Sequence, residues 1–257
     1  MESHRSETEA AIKAVERALE MAREGSGQVH VKEGRDVVTD TDVAIEDMIR
    51  AELTEAFGLP VIGEERGGEV PRNKPHWLVD PICGTRNYAS GIPLYSVNVA
   101  LVEHGEVSIS VVGDGSTGAI YQAERERGAW RVGDVPQQLF TSDSSLTIDF
   151  EAWPNQGPSR DRAALLAAAA IQANHWDIRF LSTTLSLAYV ASGRLAACVL
   201  FASPGRVHVA AGTLLVSEAG GTVSDFDDRP WTPGSNSLLC SATQGLHQDL
   251  VELVSAG

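Results

Sequence analysis

Apolar positions along this chain recur with two periods, and the switches between them mark its elements. In residues 9–24, Ile12, Val15, Leu19 and Ala22 fall on one stripe, which predicts a helix ended by Gly25-Ser-Gly27. Residues 29–38 read as a hairpin around Glu33-Gly34. Thr39-Asp-Thr-Asp42 then supplies cap residues for a second helix, with Ile45, Met48, Ile49 and Leu53 facing inward. Residues 59–63 form a short strand that delivers Glu64 and Glu65, and residues 67–74 a polar loop. Trp77-Leu-Val-Asp80-Pro-Ile-Cys83-Gly-Thr85 begins as a buried strand and is expected to turn at Asp80-Pro81, where the proline ring fixes φ. Cys83, Gly84 and Thr85 would then open a helix. Such a turn can hold a cation on side chains and offer the unpaired N–H groups of a helix start to an anion.

Residues 96–102, 107–112 and 119–123 alternate like antiparallel strands, and residues 128–134 read as a further hairpin. The pattern then changes. Strands at 146–150, 178–181, 196–202, 222–226 and 237–241 alternate with helices at 161–173, 183–191, 206–219 and near 247–254. Gly220-Gly221 stops the third of these helices. The mixture predicts a layered α/β (α+β) fold. Two halves, 1–145 and 146–257, are expected to make one compact globule.

Composition narrows the function classes. Hydrophobic residues are 43% and charged residues 21% of the 257, ordinary for a soluble globule. A net charge of −15 argues against nucleic acid or an anionic membrane as partner. No apolar run reaches membrane-spanning length, and the charged start does not resemble a signal peptide. Three cysteines (Cys83, Cys198, Cys240) without disulfide spacing point to a reducing, cytoplasmic setting. Cys198 and Cys240 lie in apolar strand-like runs and read as core thiols.

Four blocks carry a family resemblance. Asp80-Pro-Ile-x-Gly-Thr85-x-Asn87-Tyr88 resembles the signature of the inositol monophosphatase family, the magnesium-dependent, lithium-sensitive sugar phosphatases. Residues 32–42 resemble its Lys-rich loop and early Asp motif, and Val61-Ile-Gly-Glu64-Glu65 resembles its Gly-Glu-Glu motif. His208-Val-Ala-Ala-Gly212 with Glu218-Ala-Gly-Gly221 resembles its C-terminal motif. The resemblance implies an α-β-α-β-α five-layer sandwich, a homodimer, and a small-molecule phosphate substrate. It implies one Mg²⁺ at Glu64, Asp80 and the carbonyl of Ile82. It also implies a catalytic Thr85 that orders water with Asp42 as its acceptor, and phosphate on the N–H groups of Gly84 and Thr85. Hard oxygen ligands suit Mg²⁺.

The departures fall in the second metal site. Asp80 remains, but Cys83 and His208 stand where the family has aspartates, and Val207 where it has tryptophan. Three readings follow. The site holds a softer ion, Zn²⁺ or Fe²⁺, on Asp80, Cys83 and His208. Or Cys83 and His208 form a catalytic nucleophile–base pair for non-phosphatase chemistry. Or the site has decayed, leaving a weak one-metal phosphatase or a phosphate-ligand binding protein. Substrate contacts depart as well: Phe201 replaces the glutamate that binds a sugar hydroxyl and is expected to wall the pocket. Thr183 is expected to touch substrate hydroxyls, and Arg206 to meet an anionic substrate.

Overall fold

Helix α1 (Ser6–Glu24) buries Ala11, Val15, Ala18 and Leu19, the inner side of the predicted stripe. Strands β1 (Val29–Val31) and β2 (Val37–Thr39) pair antiparallel as the hairpin arms. The structure, a computed structural model, describes residues 4–25, 28–32, 37–69, 71, 74–152, 157–201 and 206–255, leaving the side chains of 152–162 and 201 aside. The expected Glu33-Gly34 turn and the Phe201 side chain therefore lie outside the described residues. Thr39 caps α2 (Asp40–Phe57) through a reciprocal capping box with Asp42. That pairing satisfies donors a helix start leaves orphaned. Ile45, Ile49 and Leu53 face inward, and so does Glu46, which an apolar pattern cannot single out.

A seven-stranded sheet follows. Its strands are β3 (Val61–Gly63), β4 (His76–Cys83), β5 (Ser96–Glu103), β6 (Glu106–Asp114), β7 (Ile120–Glu124), β8 (Ala129–Arg131) and β9 (Gln137–Gln138), in that spatial order. Only β3 and β4 are parallel. Two expectations are corrected here. The chain does not turn at Asp80-Pro81; it stays a strand to Cys83, with a bulge between the pairs Asp80↔Asn98 and Cys83↔Ser96. Proline has no N–H for the ladder, and a bulge is where a strand accommodates it. The turn comes at Gly84, which leads into the short α3 (Thr85–Ala89). The hairpin expected at 128–134 runs further along the chain: β8 turns after Arg131 and pairs antiparallel with β9, while its other edge pairs with β7.

The remaining elements are β10 (Thr147–Ala152), α4 (Gly157–Ala173), β11 (Asp177–Arg179), α5 (Leu185–Ala191), β12 (Ala197–Phe201), α6 (Arg206–Glu218), β13 (Thr222–Ser224), β14 (Leu238–Ser241) and α7 (Gln244–Ser255). Their five strands make a second sheet, ordered β11-β10-β12-β14-β13. β10 runs parallel to both its neighbours, and the other pairs are antiparallel.

Three apolar cores define the layers. One packs α1 and α2 on the outer face of the first sheet, through Val15, Leu19, Ile45 and Ile49 against Trp77, Val79 and Val99. A second lies between the sheets, where α5 and α6 meet Leu78, Tyr121, Cys198 and Cys240. The third packs α4 and α7 on the outer face of the second sheet. The stack is α-β-α-β-α, five layers, as the motifs implied. Cys198 and Cys240 are buried core thiols and register partners. No described helix is long and apolar enough to cross a membrane.

Candidate active site and metal centre

The motif residues converge where the C-terminal end of β4 meets the start of α6. Asp80 is fully buried on β4, and the bulge after it points Ile82 and Cys83 into the same region. Gly84 takes φ 105, a left-handed value that favours glycine, and a Cβ there would sit 2.9 Å from the Leu94 carbonyl and 3.1 Å from Thr183 Cβ. The turn is therefore tight for two independent reasons. Asn87 ties it down by donating to the carbonyls of Leu94 and Leu181, both at 2.8 Å.

Thr85 and Asp42 meet as expected. The Thr85 hydroxyl lies 3.2 Å from Asp42 Oδ1 and 3.0 Å from the Ile82 carbonyl, so its single proton has two acceptors in reach. Asp42 is fully buried, and its other oxygen receives the Thr39 N–H at 3.0 Å and the Thr39 hydroxyl. Asp42 is thus helix cap and Thr85 acceptor at once. Burial raises its carboxyl above the ordinary aspartate range, against the lowering effect of the Thr39 bonds.

Glu64 follows β3, and its backbone N–H donates to the Val79 carbonyl at 3.1 Å, which keys the Gly-Glu-Glu turn to β4. Glu46 holds the rest of that turn: its carboxylate accepts the N–H groups of Glu65 (2.6 Å) and Arg66 (3.0 Å) and Arg50 Nη2 (2.8 Å). A Cβ on Gly63 would fall 2.0 Å from Glu46 Oε1, so glycine there makes room for the carboxylate. Lys32 Nζ lies 2.7 Å from the Glu65 carboxylate and 3.4 Å from Glu64 Oε1. Burial and the nearby Asp80 charge push the Glu64 carboxyl well above its ordinary value, opposed by His208 and Lys32.

The two departures from the family pattern lie together. Ligand atoms of Asp80, Cys83 and His208 are all within 4.8 Å of one another. His208 Nδ1 is 2.7 Å from Asp80 Oδ2 and 3.9 Å from Glu64 Oε2. Burial opposes charge on the His208 imidazole, but the Asp80 carboxylate outweighs it and raises its pKa well above the usual histidine value. Cys83 is 2% exposed, and burial, reinforced by Asp80, pushes its thiol up to about 11. The other Asp80 oxygen, Oδ1, is buried with no hydrogen-bond partner among the described residues. An orphaned carboxylate oxygen beside a second carboxylate, Glu64, fits a cation.

Thr184 was not singled out from the sequence, yet it faces the sulfur. Its hydroxyl is 2.9 Å from Cys83 Sγ and 2.9 Å from the His208 carbonyl, and its N–H donates to Sγ at 3.4 Å. Asn98 Nδ2 donates to the Thr184 hydroxyl at 3.1 Å and reaches the His208 carbonyl at 3.3 Å. Thr183 corrects an expectation: it is 2% exposed, and its hydroxyl donates to the Cys83 carbonyl at 2.8 Å. Its one proton is committed to the turn and not to substrate. Arg206 opens α6, half-buried, two residues before His208.

A five-layer fold with a carboxylate cradle and a Thr–Asp pair beside a tight helix-opening turn defines a class, the metal-assisted phosphatases. The comparisons agree. The model of the inositol monophosphatase family matches residues 3–256, and the chain belongs to that family. It is 35% identical over 230 residues to an inositol-1-monophosphatase of Mycolicibacterium smegmatis, covering 88% of this chain and 82% of that protein. It is 31% identical to the histidinol-phosphatase of Mycobacterium tuberculosis over 96% of this chain and 97% of that one. The solved structure of a Thermotoga maritima IMPase superposes with a TM-score of 0.85 at 26% identity, over 96% of each chain. The chain is a phosphatase-type hydrolase.

Proposed function

We propose that the chain hydrolyses a small sugar-like or other small alcohol phosphomonoester, with Mg²⁺ on Glu64, Asp80 and the Ile82 carbonyl and a softer ion, zinc or iron(II), on Asp80, Cys83 and His208. The observation that carries the second part is the convergence of a carboxylate, a thiol and an imidazole within 4.8 Å. The first ligand set fits Mg²⁺, and the unpartnered Asp80 Oδ1 supports it. The second does not: one hard oxygen with sulfur and nitrogen matches zinc or iron, not magnesium. Cations so placed would neutralise phosphate charge and make water more acidic.

The chain's own groups supply the rest. The Thr85 hydroxyl orients the attacking water, and Asp42 takes up the proton through Thr85. A carboxyl raised by burial is a better base than a solvated one. The N–H groups of Gly84 and Thr85, the first donors of α3, face the phosphate. Arg206 offers a guanidinium to a second anionic group of the substrate. The relatives named above act, by name, on alcohol phosphates, which supports the substrate class. A nucleophilic role for Cys83 has less support, because a reactive thiol needs exposure and a lowered pKa, and this one is buried and raised. Three free thiols suit a reducing compartment, and a homodimer follows from family likeness.

The test is kcat/KM over a panel of sugar, cyclitol and amino-alcohol phosphates, with Mg²⁺ alone and with zinc or iron(II) added. The wild-type protein is expected to need both kinds of ion. Cys83→Asp/His208→Asp, which restores three carboxylates, is expected to run on Mg²⁺ alone. No turnover of any ester under any metal would overturn the proposal.

A further inference from the structure

Two buried acids take no part in this reading. Asp149 and Glu151 stand two apart on β10, so both face the middle layer, while Ile148 and Phe150 face α4 and α7. Asp149 is fully buried and Glu151 is 8% exposed. Asp149 Oδ1 accepts the Leu181 N–H at 3.0 Å, and Glu151 Oε1 accepts the Ser182 N–H. The Asp149 charge raises the Glu151 carboxyl across the short step between alternate residues of the strand. Two neighbouring carboxyls out of water resist being charged together, so the pair keeps one proton.

The segment they hold is the one that grips the turn. Ser182 has φ 55, a left-handed conformation rare outside glycine, which persists only where surroundings fix it. The next two residues bind the Cys83 carbonyl and thiol. The Ser182 carbonyl lies 3.2 Å from where a Cβ on Gly84 would be. We infer that Asp149 and Glu151 are positioning residues of the phosphatase site: a buried pair of acids that seats residues 181–184 against Cys83 and Gly84 through two backbone hydrogen bonds.

The surroundings keep that proton in place. Facing the pair from β12 is the Cys198 thiol, 3.8 Å from Asp149 Oδ2, with Cys240 of β14 beyond it. α5 presents the Ser186 hydroxyl. Arg179 of β11, the register partner of Asp149, turns its guanidinium to the Ile178 carbonyl at the surface. α4 packs on the opposite face through Ala163, Leu166 and Ala170. Among the described residues neither acid makes an ion pair. Burial and the Asp149 charge push Glu151 up to about 9, and burial pushes Asp149 up to about 6, so Glu151 holds the proton at neutral pH. Deprotonation puts two negative charges side by side and loosens the segment. Both thiols are raised above their ordinary values and lose their protons later.

The inference rests on the phosphatase reading only for its activity readout. The ¹⁵N-labelled full chain, with Mg²⁺ and zinc, is titrated from pH 6 to pH 9.5 while the amide resonances of Leu181 and Ser182 are followed. Hydrolysis of the phosphate ester turned over fastest in the panel above is measured on the same samples. In the wild-type protein both amides should shift along one titration near pH 9, with kcat falling severalfold across it. Glu151→Gln mimics the protonated acid: it should keep activity within about twofold at pH 7 and stay flat to pH 9.5 in both readouts. Glu151→Leu cannot accept the Ser182 N–H and should lose at least tenfold at every pH; should it fail to fold, the Gln variant carries the test. Amides unmoved by pH in the wild-type protein, or an alkaline loss in Glu151→Gln equal to the wild-type loss, would overturn the inference. Titrating amides with no turnover of any ester of the panel under any metal would uphold it and overturn the phosphatase reading instead.

Discussion

His208 Nδ1 lies 2.7 Å from Asp80 Oδ2, a residue from the first turn of α6 against one buried in β4, 128 positions earlier. The contact ties the middle helix layer to the first sheet at the site and places an imidazole where the family pattern calls for a carboxylate. Removing one member of a buried pair leaves an uncompensated charge, which typically costs about 3–5 kcal/mol. In metal-free protein, His208→Ala is therefore expected to lower unfolding free energy by about 3 kcal/mol in urea titrations. Asp80→Asn on the His208→Ala background should recover part of that loss.

The Thr184 hydroxyl at 2.9 Å from Cys83 Sγ is one of the groups that bear on that sulfur, beside burial, Asp80 and His208. Groups that bond to a metal's ligands typically change affinity by 10- to 100-fold when removed. Thr184→Val should weaken zinc binding by about tenfold in chelator competition. The Mg²⁺ concentration dependence of turnover should not move. Equal zinc affinity in both proteins would place Cys83 outside the ligand set.

In the proposed reaction Thr85 and Asp42 carry the proton, across a contact of 3.2 Å. Thr85→Val keeps the shape of the side chain and removes the hydroxyl. It is expected to lower kcat by about 100-fold, in the usual range for lost acid–base function. KM for the phosphate ester and the melting temperature should change little.

Gly63→Ala tests how Glu64 is placed. A Cβ 2.0 Å from Glu46 Oε1 forces the carboxylate off the Glu65 and Arg66 N–H groups. The expected loss is about 2–4 kcal/mol of stability, with weaker Mg²⁺ activation because Glu64 shifts with the turn. Glu46→Gly on the Gly63→Ala background relieves the clash without restoring the turn's acceptor, so stability should improve more than Mg²⁺ activation.

How far the sequence reveals all this depends on the kind of signal. Apolar periodicity found the helices and most strands, because Val15, Ile45 and Val99 mark core faces directly. Local chemistry found the Thr39–Asp42 cap and the helix that opens at Thr85, but set the turn before it too early, at Asp80-Pro81 and not Gly84. Glu46 was invisible because a glutamate on a helix normally faces water, and only the Glu64–Arg66 turn, nearly twenty residues on, explains its burial. Asp149 and Glu151 look like the outer face of an alternating strand, and the middle helix layer reverses that. The motif singled out Thr183 and passed over Thr184, and only the fold shows one bonded to the Cys83 carbonyl and the other to its sulfur. The strand through Pro81 was missed because a bulge is a property of pairing with β5, not of Asp-Pro.

Acid stability should depend on Glu124. It is buried, which raises its carboxyl, but the Thr8 hydroxyl, the Arg5 N–H and Arg127 together hold it below the ordinary glutamate range. A depressed carboxyl contributes stability that is fully present above its unfolded value and is lost as pH falls through its folded value. The melting temperature of the wild-type protein should therefore fall more steeply below about pH 4.5 than that of Glu124→Gln. Parallel curves from pH 7 to pH 3 would remove Glu124 from that role.

The soft-metal site proposed on Asp80, Cys83 and His208 sits inside a magnesium phosphatase frame. Metal content decides it most directly, measured by plasma mass spectrometry on protein purified without chelators or a metal-affinity tag, beside Cys83→Ala/His208→Ala. About one equivalent of zinc or iron is expected in the wild-type protein and none in the double variant. Wild-type protein free of transition metal, or equal content in both, would contradict it.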